Sequence, residues 1–246
     1  MLKDTIYFSP PNRSSSRNSE RRIFIQGPCR LDCSTRVLVA ILYRLGADMA
    51  RSLRQDFAGT AHHVILRGRN REPVFAHDGD RWTYLTLLKQ HARDSGCDIY
   101  AWALLSNHVH LLAGVRQDHG LARCLQIVNG VFSRVINQDR MRMGSNWQAH
   151  AKIKPVVFED YFQSCLLYIE CNALKAGLAD EPMEYPWSSC RFHCRGLPDG
   201  LTASHAWYDG LGSSPKARQE AFRILLTDYT RRMRSEMALG GKTSTG

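Results

Sequence analysis

The chain has 246 residues, with 33 Lys plus Arg against 23 Asp plus Glu, a formal net charge of +10 and 43% hydrophobic residues. That composition excludes disordered and collagen-like classes, and the length suits one domain with appendages around a sizeable core. No apolar run reaches the ~20 residues of a membrane span, and the basic balance favours a polyanionic partner, nucleic acid ahead of an anionic membrane surface.

Residues 1–48 stand apart from the rest. They contain Ser9-Pro10-Pro11 and Ser14-Ser15-Ser16, and carry eight basic against four acidic residues, +4 of the total. This stretch reads as a disordered or spurious upstream extension. The only helix-like pattern in it surrounds Val37 to Leu45. The apolar run Val37–Leu42 lies too far from the start for a signal peptide. A cytoplasmic protein is therefore expected. Eight cysteines, including the Cys29/Cys33 and Cys190/Cys194 Cys-x3-Cys pairs, are too sparse for a disulfide scaffold. Their spacing fits zinc sites poorly, so free thiols are expected.

From His62 onward the pattern is regular. His63-Val64-Ile65-Leu66, ending at Gly68, reads as a strand. Asp78 opens a segment with Trp82, Leu85, Leu88 and Ala92 at helical spacing, stopped by Gly96. Ile99–Leu105 and His108–Val115 read as two strands joined by the short Ser106-Asn107 link. Leu121–Ile136 carries Leu121, Leu125, Val128, Phe132 and Val135 on one helical face, and Gly144-Ser145-Asn146 breaks the pattern. Ile153–Phe158 reads as a fourth strand. A third helix, Glu159–Ala176, stops at Gly177. After the turn-rich Pro182–Ser189, a last helix spans Pro215–Met237, followed by a frayed tail. The order β-α-β-β-α-β-α predicts an α+β fold: a ferredoxin-like antiparallel sheet with helices on one face, plus one further helix.

Two patterns carry chemistry. In Asn107-His108-Val109-His110, residues two apart on a strand share a face, so both imidazoles project together. Such a pair suits either a metal clip or two stacked surface histidines. In Tyr168-Ile169-Glu170-Cys171-Asn172, residues four apart on a helix share a face. Tyr168 then suits either a covalent nucleophile or a core aromatic beside Leu166 and Leu167, and Asn172 either a metal ligand or a helix-end residue.

Taken together, the chain resembles the single-tyrosine HUH transposases, and within them the REP-associated tyrosine transposase-like group. The resemblance rests on an ordered set: His63-Val64-x-x-Arg67-Gly68, Pro73-Val74-Phe75, Asn107-His108-Val109-His110-Leu111-Leu112, Asn129-Gly130-x-Phe132-Ser133-Arg134, Trp147-Gln148, Tyr168-Ile169-x-x-Asn172, Ala176-Gly177-Leu178 and Tyr185-Pro186-Trp187-Ser188-Ser189. It covers residues 49–200, roughly sixty per cent of the chain. Met49-Ala50-Arg51-Ser52-Leu53-Arg54 resembles the usual start of such proteins, and residues 201–246 then form a C-terminal helical extension and tail.

The resemblance implies cleavage and rejoining of single-stranded DNA at hairpin or repeat ends in DNA transposition, through a 5′-phosphotyrosine on Tyr168. It implies Mg²⁺ or Mn²⁺ held by His108, His110 and Asn172, and either monomers or a homodimer. Arg67, Arg69, Arg71, Arg134, Lys152 and Lys154 are candidate phosphate contacts, and Trp147 and Phe158 candidate base-stacking residues. Two positions depart from the family pattern. Ala173 follows Asn172 where Pro is usual, which should alter the local bend. Ala149-His150-Ala151-Lys152 follows Trp147-Gln148 where a small residue, Arg and an aromatic are usual, which displaces a basic contact. The alternatives are a domesticated or inactive protein that grips palindromic DNA without cutting, and a nuclease that uses water with Tyr168 structural.

Overall fold

A computed structural model describes residues 56, 58–148 and 150–240. The expectations for residues 1–48, for Cys29 and Cys33 and for the last six residues lie outside this range. Four strands form one antiparallel sheet: β1 (Ala61–Arg67), β2 (Cys97–Leu104), β3 (His108–Val115) and β4 (Lys152–Val156), in the order β2-β3-β1-β4. Helix α1 (Asp78–Asp94) links β1 to β2, and α2 (Gly120–Asp139) links β3 to β4. This is the expected ferredoxin-like order, with β1 and β3 as the inner pair.

Strand periodicity sorts the two faces. Val64, Leu66, Val109, Leu111 and Ala113 pack in one cluster with Leu121, Leu125, Val128 and Phe132 of α2 and Tyr84 and Leu88 of α1. The α1 stripe is rotated from the expected one: Tyr84 is buried and Trp82 is 63% exposed, its ring set edge-on to Trp187. On α2, Ile136 rather than Val135 continues the buried stripe. A bulge between Ile99 and Ala101 resets the alternation of β2. Ile99 and Trp102 thus face one cluster, and Ala101 and Ala103 the other.

The second face is also covered. Helix α3 (Glu159–Glu170) places Phe162, Cys165, Leu166 and Ile169, spaced three to four apart, against Ala101, Ala103 and Leu112. Glu159 and Asp160 in its first turn complement the helix dipole. The predicted single helix to Ala176 is two: α3 ends at Glu170, and α4 (Asn172–Lys175) follows after Cys171, at φ −87° and ψ 1°. Beyond them lie α5 (Cys190–Arg195), α6 (Ala206–Asp209) and the long α7 (Pro215–Gly240), whose Phe222, Leu226 and Met233 join the same cluster. The C-terminal helix is thus part of the core beneath the tyrosine helix. The six described cysteines are free and buried. No helix among the described residues is long and apolar enough to cross a membrane.

Candidate active site

The site forms where β1 and β3 face α3. Antiparallel register sets Arg67 opposite His108 and Ile65 opposite His110, one step from His63. Residues 63, 65 and 67 of β1 and 108 and 110 of β3 therefore share the face that α3 covers. The end of this hairpin is tightly held. Gly68 N–H donates to the Asn107 carbonyl at 2.7 Å, and Leu105 N–H to the His108 carbonyl at 2.9 Å. A Cβ on Gly68 would collide with the Glu72 carbonyl and the Val74 side chain, so only glycine lets this crossing close.

Each histidine of the pair is oriented through Nδ1. The Asn107 amide Nδ2 donates to the Arg71 carbonyl at 2.9 Å, which turns its oxygen toward His108. His108 Nδ1–H donates to that oxygen at 2.7 Å. His110 Nδ1 is hydrogen-bonded to His63 Nε2 at 3.2 Å, with the ring centroids 5.4 Å apart and the ring planes 28° apart. In both residues the other nitrogen, Nε2, is left for a ligand. Orientation of a ligating imidazole through its second nitrogen is the usual arrangement at metal sites.

Tyr168 arrives from α3. Its ring is edge-on to His110 at 5.5 Å and to His63 at 5.9 Å, and the Lys175 ammonium lies 5.4 Å from its centroid. Asn172, 5% exposed, sits where the helix breaks. Its Nδ2 donates to the Tyr168 carbonyl at 3.5 Å, and its side chain lies beside His108. The structure therefore brings Tyr168, His108, His110 and Asn172 together across three elements.

Burial sets the electrostatics. Desolvation, followed by the Lys154 charge, lowers His63 to about 4. His110 is lowered to about 2 by desolvation first, then by His108, His63, Arg67 and Lys175. His108 is lowered by burial and by Arg67, against the opposing influence of the neighbouring Asn172 side chain. All three imidazoles are thus neutral at neutral pH, the form that ligates metals. Among the described residues no three His, Cys, Asp or Glu side chains converge on one point. A cation here would rest on two imidazoles, the Asn172 amide oxygen and outside oxygens. Such a mixed, partly open set fits a hydrated Mg²⁺ or Mn²⁺ better than a closed structural site.

Residues 57–170 match the family described as "Transposase IS200 like". Those residues, a little under half of the chain, are similar to the IS200-like transposases. The match takes in His63, His108, His110 and Tyr168 and ends just before Asn172. No curated protein matches the chain significantly. Among solved structures, the fold is similar to a REP-associated tyrosine transposase bound to a REP hairpin, at 18% identity, with 64% of this chain and 93% of that chain covered and a TM-score of 0.52. A putative transposase from Deinococcus radiodurans R1 is 19% identical over 50% of this chain and 96% of that chain, with a TM-score of 0.35.

The candidate DNA-contact residues divide in three. Arg67, Lys152 and Lys154 are exposed and share the His63 face, Lys152 opposite Ile65 and Lys154 opposite His63. Arg69 and Arg71 are exposed in the short 3₁₀ turn after β1, beside the Asn107 anchor. Arg134 is exposed on α2, which covers the opposite face, so it is not brought to the site. Trp147 corrects the expectation of base stacking. It is 7% exposed and packs with Tyr84 at 5.8 Å and Phe132 at 6.0 Å, so its ring belongs to the core. Phe158, 37% exposed, caps α3 just past the end of β4.

Sequence reasoning had passed over two residues as site members. His63 stood in the first strand pattern but gave no signal of its own, because its partner lies 47 residues away. Lys175 follows Tyr168 by seven residues, two helical turns, and that spacing could have found it.

Proposed function

We propose that this chain is a transposase that cuts and rejoins single-stranded DNA at hairpin or repeat ends through a 5′-phosphotyrosine on Tyr168. The observation that carries the reading is the convergence of a half-buried Tyr168 ring on His110 at 5.5 Å, with Asn172 beside His108. In this reading the Tyr168 phenol oxygen attacks the scissile phosphorus and gives up its proton to solvent. The P–O3′ bond breaks, and the leaving 3′ oxygen takes a proton to become a hydroxyl. Rejoining reverses the step: another 3′ hydroxyl attacks the phosphotyrosine and Tyr168 leaves as the phenol. One phosphodiester is exchanged for another, so no energy source is consumed.

His108 and His110 through Nε2, with the Asn172 amide oxygen, would hold Mg²⁺ or Mn²⁺. Such an ion, when bound, polarises the phosphate and offsets the charge that develops there. Lys175 over the ring face places positive charge near the tyrosine on which negative charge develops. Arg67, Lys152 and Lys154 line the same face and would hold the phosphate backbone in a salt-dependent way. The solved relative's REP hairpin supports a hairpin-bearing strand as the ligand to test.

Incubation with single-stranded hairpin DNA from the repeats flanking the coding region, in Mn²⁺, should trap a protein–DNA adduct in the wild type and none in Tyr168→Phe. An adduct in both, or cleavage without an adduct in the wild type, refutes the tyrosine mechanism. Tight binding indifferent to chelator and to Tyr168→Phe would point to a protein that grips without cutting.

A further inference from the structure

The bond between His63 and His110 poses a choice with chemical consequences. Two neutral imidazoles joined Nε2 to Nδ1 share a single proton. If His110 Nδ1–H donates, its Nε2 carries a lone pair. If His63 Nε2–H donates instead, His110 must hold its own proton on Nε2, and no lone pair remains for a cation. The neighbouring His108 meets no such ambiguity, because its Nδ1 faces an amide oxygen that can only accept.

We propose that His63 is a positioning residue: its Nε2 accepts the Nδ1–H of His110 and so presents His110 Nε2 as a metal ligand beside His108. The assignment rests on the metal reading of the site given above. His63 is suited to the role by place. It is 7% exposed on the inner strand β1, its ring plane is within 28° of that of His110, and it is held against Tyr168 at 5.9 Å. A third direct ligand is a poorer description. The two nitrogens, 3.2 Å apart, point at each other along a hydrogen bond, so their lone pairs do not converge on a third atom. The arrangement repeats on both histidines. Asn107 holds His108 and His63 holds His110, each through Nδ1. A cation on Nε2 makes the Nδ1–H a stronger donor, which in turn strengthens its bond to His63.

The test has two arms on the full chain. Long-range ¹H–¹⁵N spectra of the ¹⁵N-labelled wild type without metal should show His110 protonated at Nδ1 and bare at Nε2; a proton on Nε2 overturns the proposal. Mn²⁺ titration followed by electron paramagnetic resonance then compares two variants, each checked for native circular dichroism. His63→Gln carries an amide oxygen at about the reach of Nε2 and should bind Mn²⁺ within a few-fold of wild type. His63→Leu cannot accept and should bind about 10–100-fold more weakly. Equal affinity in His63→Leu and wild type, or equal loss in both variants, overturns the proposal. If the wild type binds no Mn²⁺, the metal reading of the site falls, and the spectra still decide which nitrogen of His110 carries the proton.

Discussion

Acid should unfold this protein through its buried histidines, and His63 gives the effect a size. Its pKa is about 4 in the folded chain against an ordinary value of 6.5. Between those values the unfolded chain binds a proton that the folded chain refuses, so stability falls as the pH falls. The contribution is fully present above pH 6.5, shrinks through the window and is exhausted below about pH 4. At about 1.4 kcal/mol per pH unit the full shift is worth about 3 kcal/mol, most of it lost by about pH 4.5. That is a large part of the ~5–15 kcal/mol that holds a typical domain together. His110, lowered for the same leading reason, adds a loss of the same sign.

Urea unfolding followed by circular dichroism, at about pH 7.5 and about pH 4.5, measures the loss directly. The wild type should lose stability over that interval, and His63→Gln should lose about 2–3 kcal/mol less, because its amide does not titrate. An equal loss in the two proteins would show that His63 is not held neutral in the folded chain, and the electrostatic account of the site would fail with it.

Three further outcomes follow from the geometry. Asn107→Ala removes the acceptor that orients His108 and the donor to the Arg71 carbonyl, and should weaken Mn²⁺ binding about 10–100-fold in a direct titration. Gly68→Ala forces a Cβ into the Glu72 carbonyl and Val74, and should cost about 1–3 kcal/mol in chemical denaturation by overpacking the end of β1. Lys175→Gln removes the cation beside the Tyr168 ring, worth about 0.5–1 kcal/mol at an exposed site. It should slow adduct formation about 2–5-fold while leaving Mn²⁺ affinity unchanged.

Much of the fold was legible because the deciding signals are local. The boundaries of β3 were read to the residue from its apolar run, and α1 from the acidic opening at Asp78 and the stop near Gly96. The α1 face was misjudged because Trp82 is large and apolar yet lies on the outer side, where it meets Trp187 rather than the sheet. The break at Cys171 was missed because nothing in the run through Ala176 is a helix breaker. It is marked instead by Asn172, whose side chain bonds the Tyr168 carbonyl. The short helices α5 and α6 escaped because four to six residues carry too little periodicity to register.

The sequence by itself determined which side chains could act together within one element. His108 and His110 share a strand face, and Tyr168 and Asn172 lie one helical turn apart, because side-chain direction repeats with the backbone. Only the tertiary structure decided what meets across elements. The register of β1 on β3 brought His63 to His110, and β4 set Lys152 and Lys154 on the same face. Packing of α1 on α2 drew Trp147 into the core, and the layer that α2 occupies carried Arg134 away from the site. Those outcomes follow from register and from which face each helix buries, and both are settled by contacts between residues far apart in the chain.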